Sequence, residues 1–195
     1  MSSDQNDTRT RILDAALKLL EAGDGSKARM GDIARAAGIS RQAVYLHFAT
    51  RAALLTAATR RLDTLKDVDA RLAASRSAPS GAERLDAFIE AWGGYIPEIY
   101  GVARALLAMK DTDAAAAEAW DERMQAMREG CAAAIRALEA DGALADGLPP
   151  DEATDMLWTL LSVRNWEQLT VDCGWPQDRY VAEIKAMARR MFVAG

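Results

Sequence analysis

Within the string SRQAVYLHFATR, Ser40 to Arg51, lie side chains able to read a duplex from one short helix. The Arg41 guanidinium pairs with guanine or a phosphate, the Gln42 amide matches the N6 and N7 edge of adenine, and the Ala43 methyl packs against a thymine methyl. Tyr45 and His47 sit toward the flanks, where a phenol and an imidazole donate to phosphate oxygens. Arg51 opens the following helix and adds charge near free backbone amides. Val44 and Phe48, four apart, point the other way and anchor the helix. Taken singly, each of these residues is as well explained by packing or by a solvated surface charge. The constellation is what carries the DNA reading.

The elements that must hold these groups are spelled out just upstream. Met30 to Ala37 supplies a short helix with Ile33 and Ala37 inward, and Gly38 ends it in a left-handed cap that costs glycine little. A three-residue turn follows, and Ser40 caps the second helix. Met30 to Leu55 therefore reads as a helix-turn-helix. A helix before it, starting near Asp7 or Thr8 and stopping at Gly23 and Gly25, offers Ile12, Ala15, Ala16, Leu19 and Leu20 as the packing face.

Nearly every other segment is helical in period and rich in alanine, so the fold class is all-α, with about nine helices. From Thr50, the residues Leu54, Ala58, Leu62, Leu65, Val68 and Leu72 predict one long helix of about 35 Å. The stretch Ser75 to Gly81 is the clearest loop. Leu85, Phe88, Ile89 and Trp92 mark a helix expected to close at Gly93-Gly94, with Pro97 opening the next. Trp120, Met124, Met127, Cys131, Ala134 and Leu138 form a seam at steps of four and three. Gly142 to Pro150 is a turn-rich connection. A helix is expected from Asp151 to about Cys173, and Pro176 opens the last one. The expected division is a head at 1–50 and a helical body at 51–195, bridged by the long helix.

The net charge of −5 alone argues against nucleic acid, but it is unevenly spread. Up to Arg61 ten Lys/Arg stand against six Asp/Glu, a net of +4, while the rest carries −9. A basic head on an acidic body is the asymmetry of a chain that approaches phosphates at one end. Cys131 and Cys173 lack metal-site spacing and His47 is the sole histidine, so no metal or cofactor is expected. Cys131 lies in the apolar seam and reads as inert, whereas Cys173 is the more exposed thiol. Two separated thiols, a polar N-terminus and no membrane-length apolar run lead us to expect a soluble cytoplasmic protein.

The head resembles the TetR family of bacterial transcriptional regulators. The matching string is IARAAGISRQAVYLHFATRAALL, preceded by ILDAALKLLEAG. The resemblance implies a three-helix DNA-binding head, a helical regulatory body, and a dimer interface built largely by the last two helices. It also puts Arg41, Gln42, Ala43, Tyr45, His47 and Arg51 at DNA-contacting positions. Three residues depart from the family's pattern. Arg29 stands where a threonine usually caps the second helix and offers an extra phosphate contact, with Ser26 a substitute cap one turn earlier. Leu46 replaces a commonly polar residue, and Ala49 a common proline.

The resemblance implies a ligand pocket in the body, and the lining expected is Phe88, Trp92, Tyr95, Trp120, Met124, Met127, Trp158 and Asn165. Rings and thioethers suit an adaptable apolar cavity, and a small, largely apolar ligand follows. A plain helical core accounts for most of these residues equally well, and Asn165 reads as a satisfied interhelix bond before it reads as a ligand-orienting amide. Arg104 reads as a surface ion pair before it reads as an acid receptor. For the dimer, Leu157, Leu161, Trp166, Leu169, Tyr180, Ile184, Met187 and Met191 exceed what one hairpin needs, unless they cover the core of a monomer. A symmetric pair would set two recognition helices about 34 Å apart on a roughly palindromic operator. The expected function is a homodimeric repressor released from DNA by a small molecule. The alternatives are a regulator controlled by a protein partner or without ligand, and, with little support, an α-helical enzyme.

Overall fold

The computed structural model describes residues 2–23 and 28–194, so Gly25 and the expected Ser26 cap lie outside the described residues. The chain is all-α as expected. Among the described residues the sole β pairing is an isolated antiparallel bridge between Leu144 and Val193, which ties the end of the chain to the connection after the seam helix. The helices are α1 (Ser2–Glu21), α2 (Met30–Ala37), α3 (Arg41–His47), α4 (Arg51–Leu65), α5 (Val68–Arg76), α6 (Gly81–Met109), α7 (Ala114–Ala140), α8 (Pro150–Leu160), α9 (Val163–Glu167) and α10 (Gln177–Phe192). A π-helical turn, Gln168–Asp172, continues α9.

Two compact units are formed, and neither ends at residue 50. The first comprises Met1–Lys66 and Ile99–Met124. It takes in α4 because Leu54, Leu55, Ala58 and Leu62 share one core with Ile12, Ala16 and Leu20 of α1 and Ile33 of α2, and equally with Leu106, Ala116 and Ala119. Arg11 of α1 donates to the Ala37 carbonyl at 2.7 Å, satisfying the C-terminal end of α2. Along its length α4 is paired with α7 through Arg51–Asp113, Arg60–Glu122 and Asp63–Arg123.

The long helix expected from Thr50 to Leu72 is divided. Lys66 ends α4, and Asp67 takes φ 51° and ψ 51°, a left-handed conformation that aspartate tolerates better than most residues. The chain passes there from the first unit to the second, Asp67–Glu98 with Gln125–Gly195.

In the second unit, α6 runs unbroken through Gly93, Gly94 and Pro97, where the sequence predicts a stop and a restart. Proline has no N–H to give the carbonyl four residues back, which is that of Gly93. Gln177 supplies the missing donor, its Nε2 reaching the Gly93 carbonyl at 2.7 Å while its Oε1 accepts from Trp166 Nε1 at 2.9 Å. A second correction concerns the helix expected over Asp151 to Cys173. It is interrupted at Leu161, where Ser162 caps α9 by accepting from the Asn165 amide. At the other end of α6, a Cβ on Gly81 would stand 2.5 Å from the Leu138 nitrogen, so only glycine allows this approach to α7.

Candidate nucleic-acid interface

Two local devices fix α3. Gly38, at φ 69°, closes α2, with the Ile39 amide donating to the Ala34 carbonyl at 3.0 Å. Ser40 Oγ then accepts from the Ala43 amide at 3.1 Å and starts α3. Val44 and Phe48 are buried and root the helix in the first unit's core, as their spacing predicts.

Rooting on that side leaves the other side open. Arg41, Gln42, Tyr45 and Leu46 are exposed, and Ala43 and His47 are half-buried. Arg41 lies over the Tyr45 ring, 5.8 Å from its centroid, and donates to the phenol oxygen at 3.5 Å, so a cation and a hydroxyl are held together on this face. His47 borders, with Phe48, Arg9 and Arg60, a cavity of about 720 Å³. Arg9 lies 4.8 Å over the Phe48 ring and brings a charge from α1 to that edge, a placement no local sequence signal announces. Arg29 stands at the N-cap of α2 in extended backbone, makes no side-chain cap and is exposed. A cation at the positive end of a helix is mutually repelled by it, and an anion between the two reverses the sign.

Arg51 is engaged within the chain. Its Nε donates to the Ala28 carbonyl at 2.7 Å, and its Nη1 is paired with Asp113. Only 19% of its side chain is exposed. The guanidinium therefore fastens the start of α4 inside the first unit. Asp113, which the sequence reading missed, accepts in addition from the Ala115 and Ala116 amides at the start of α7. An aspartate directly before the run Ala114–Ala117 is a capping signal visible in the sequence; its pairing with Arg51 is not. Burial pushes the Asp113 carboxyl up, yet the Arg51 hydrogen bond, the two amides and the Arg51 charge together hold it below its ordinary value of 3.8.

The residues expected to line a pocket are distributed over both units. Trp120 and Met124 belong to the first, where Trp120 packs against the core. The other six belong to the second. There Phe88 is buried against Gly130, whose absent Cβ would lie 2.7 Å from the ring. Trp92 meets Tyr95 edge to face at 5.9 Å and donates its indole N–H to the Leu161 carbonyl at 2.7 Å. Met127 is buried beside Cys131, and Trp158 is half-buried. Asn165 donates through Nδ2 to the Thr159 carbonyl at 2.7 Å, closing the end of α8.

The residues expected at a dimer interface differ in their exposure within the single chain. Leu157, Leu161, Tyr180 and Ile184 are fully buried within the single chain and Trp166 is 7% exposed, because they form the inward stripes of their helices. Burial also pushes the Tyr180 phenol up, as an enclosed position demands. Leu169 and Met187 are half-buried and Met191 is exposed. Met156 and Val171, absent from the expected set, are exposed in this unit.

Comparison with known proteins bears on both the head and the whole chain. Residues 12–58 match the family model described as bacterial regulatory proteins, tetR family. The nucleoid occlusion factor SlmA of Marinomonas sp. (strain MWYL1) is 38% identical over 52 residues, covering 27% of this chain and 26% of that protein, so the match spans about a quarter of the relative's length. A protein from Saccharomonospora viridis described as a transcriptional regulator, in complex with choline, superposes with a TM-score of 0.74 at 21% identity, over 96% of this chain and 98% of that one. Native NalD, the secondary repressor of the MexAB-OprM multidrug efflux pump in Pseudomonas aeruginosa, gives a TM-score of 0.69 at 25% identity, over 97% of this chain and 98% of its own. The head, residues 12–58, thus matches the model of the tetR family of bacterial regulatory proteins, and the chain shares the fold of solved transcriptional regulators along nearly its whole length.

Proposed function

We propose that the chain is a homodimeric, sequence-specific transcriptional repressor of the cytoplasm, released from its operator when a small, largely apolar molecule binds the body. The observation that carries the DNA part is the open face of α3, where Arg41, Gln42 and Tyr45 stand exposed on a helix rooted by Val44 and Phe48. In this reading Gln42, Arg41 and Ala43 meet base edges. Tyr45, His47, Ser40 and Arg29 meet the phosphate strands. The DNA-contacting groups thus fall within residues 1–50, and residues 51–195 serve control and pairing.

Dimerisation in this reading uses Met191 with Met156 and Val171, which are 37%, 40% and 56% exposed, with Leu169 and Met187 beside them. Two copies related by a twofold axis place two α3 helices on successive major grooves, about 34 Å apart, and call for a roughly palindromic site. Ligand control is a population shift. A hundredfold loss of DNA affinity requires about 2.7 kcal/mol of differential ligand affinity between two states. The crystallised regulator that holds choline and the repressor of an efflux pump are in keeping with a body that answers small molecules.

A second reading, a regulator governed by a protein partner or by none, is favoured by the contacts of the expected lining. Phe88 fills the space at Gly130, Trp92 is bonded to Leu161, and Asn165 is bonded to Thr159. Selection of genomic DNA by the full chain, followed by footprinting, tests the first half of the proposal; an enriched inverted repeat is the expected result, and no enrichment contradicts it. Thermal unfolding across a compound panel tests the second, since a ligand of the native state raises Tm.

A further inference from the structure

Val44 is fully buried and so fixes which way α3 faces. At about 100° per residue, Gln42 and Leu46, two positions before and two after, both point away from the Val44 side. Being four apart, they are neighbours on one exposed face. Leu46 is 81% exposed, more than any other large hydrophobic side chain among the described residues; Val171 follows at 56%. A lone exposed leucine on an arbitrary surface needs no explanation. This one occupies the middle of the face that also carries Gln42 and Tyr45, and it stands where a polar residue would serve any phosphate contact better.

What an isobutyl group recognises on a duplex is narrow. Phosphates suit Arg41, Tyr45 and His47. In the major groove the thymine C5 methyl is the one apolar group that base pairs present. We propose that Leu46 is a specificity-determining residue that packs on a thymine methyl close to the adenine read by Gln42. One helical turn separates the two side chains, about 5–6 Å, which spans one or two base-pair steps of about 3.4 Å. Each half-site therefore holds an adenine and a thymine at a fixed, short offset. The proposal rests on the DNA-binding reading above and adds to it a base identity.

The test begins with the full chain selecting duplexes from a random pool. In the best duplex each thymine is then replaced, one at a time, by deoxyuridine, which removes only the methyl group, and affinity is read by fluorescence anisotropy at fixed salt. One thymine in each half-site, one or two base pairs from the Gln42-dependent adenine, is expected to weaken wild-type binding about fourfold when its methyl is removed. Leu46→Ala is expected to bind the thymine duplex weaker by a similar factor and to be indifferent to the replacement; at an exposed position it leaves the fold intact. Leu46→Met retains part of the sensitivity. A wild-type chain insensitive at every thymine, or a Leu46→Ala chain as sensitive as wild type, overturns the proposal and leaves DNA binding standing. A pool with no enriched sequence overturns the DNA reading, and the role of Leu46 with it.

Discussion

Arg51 and Asp113, 62 residues apart in the sequence, form an ion pair that joins the first residue of α4 to the residue capping α7. The pair is mostly enclosed, with 19% and 28% of the two side chains exposed, and the same guanidinium holds the Ala28 carbonyl ahead of α2. Removing Arg51 therefore strands a partly buried carboxylate and a carbonyl. Arg51→Ala is expected to lower stability by about 1–3 kcal/mol in urea unfolding. It is also expected to leave the salt dependence of DNA binding unchanged, whereas loss of a phosphate contact flattens the log–log slope by about 0.9. The pH dependence follows from the lowered Asp113 pKa. Its stabilising contribution is present above the ordinary value of 3.8 and is lost as the pH falls through the depressed folded value. The stability difference between wild type and Asp113→Asn should shrink as the solution is acidified below that value.

Gln177 is expected to be worth more than its half-buried position suggests. Gln177→Ala removes the donor to the Gly93 carbonyl that Pro97 cannot serve and the side-chain acceptor of the Trp166 indole N–H. A loss of about 2 kcal/mol in denaturant unfolding is expected. In a Pro97→Ala background the backbone amide restored at that position serves the Gly93 carbonyl, so the same Gln177→Ala change should cost measurably less. Additive losses contradict this pairing.

One substitution type should give opposite signs at two glycines of α6. Gly94→Ala meets nothing within 4 Å and is expected to raise stability by about 0.5–1 kcal/mol through helix propensity. Gly81→Ala places its Cβ 2.5 Å from the Leu138 nitrogen and 2.6 Å from the Ala137 carbonyl carbon, which backbone cannot yield cheaply. It is expected to lose about 1–3 kcal/mol, read as a fall in Tm.

The two thiols should react separately. Cys131 is fully buried beside Met127, and burial pushes its thiol up to about 12 despite the nearby Arg128, whereas Cys173 is exposed. Iodoacetamide at about pH 8 should modify one cysteine per native chain, at Cys173, and both after unfolding. Rapid native modification of Cys131 contradicts the packing of α7.

The head was legible in the sequence because its signals are local. Gly38, Ser40, Val44 and Phe48 each announce a turn, a cap or an anchor within a few residues of where it acts. What escaped was settled at long range. The proline in α6 reads as a break until Gln177, 84 residues from Gly93, supplies the donor it lacks. Asp67 carries no glycine or proline to mark the division after α4, and the amphipathic stripe continues across it. Arg51 looks like a phosphate ligand from its neighbours alone; only the fold brings Asp113 to it. The stripes of α8 and α10 were legible as apolar, but a sequence does not distinguish a stripe that meets its own chain from one that meets a second copy. Leu157, Tyr180 and Ile184 meet their own.

The central claim is that the exposed face of α3 reads DNA, and Gln42 tests it most directly. On duplexes selected by the wild-type chain, affinity is measured with each of the four base pairs at the position assigned to Gln42, for wild type and for Gln42→Ala. The wild type should discriminate about tenfold or more in favour of adenine, and Gln42→Ala should lose that preference at this position alone while keeping the others. Unchanged discrimination in Gln42→Ala contradicts the account.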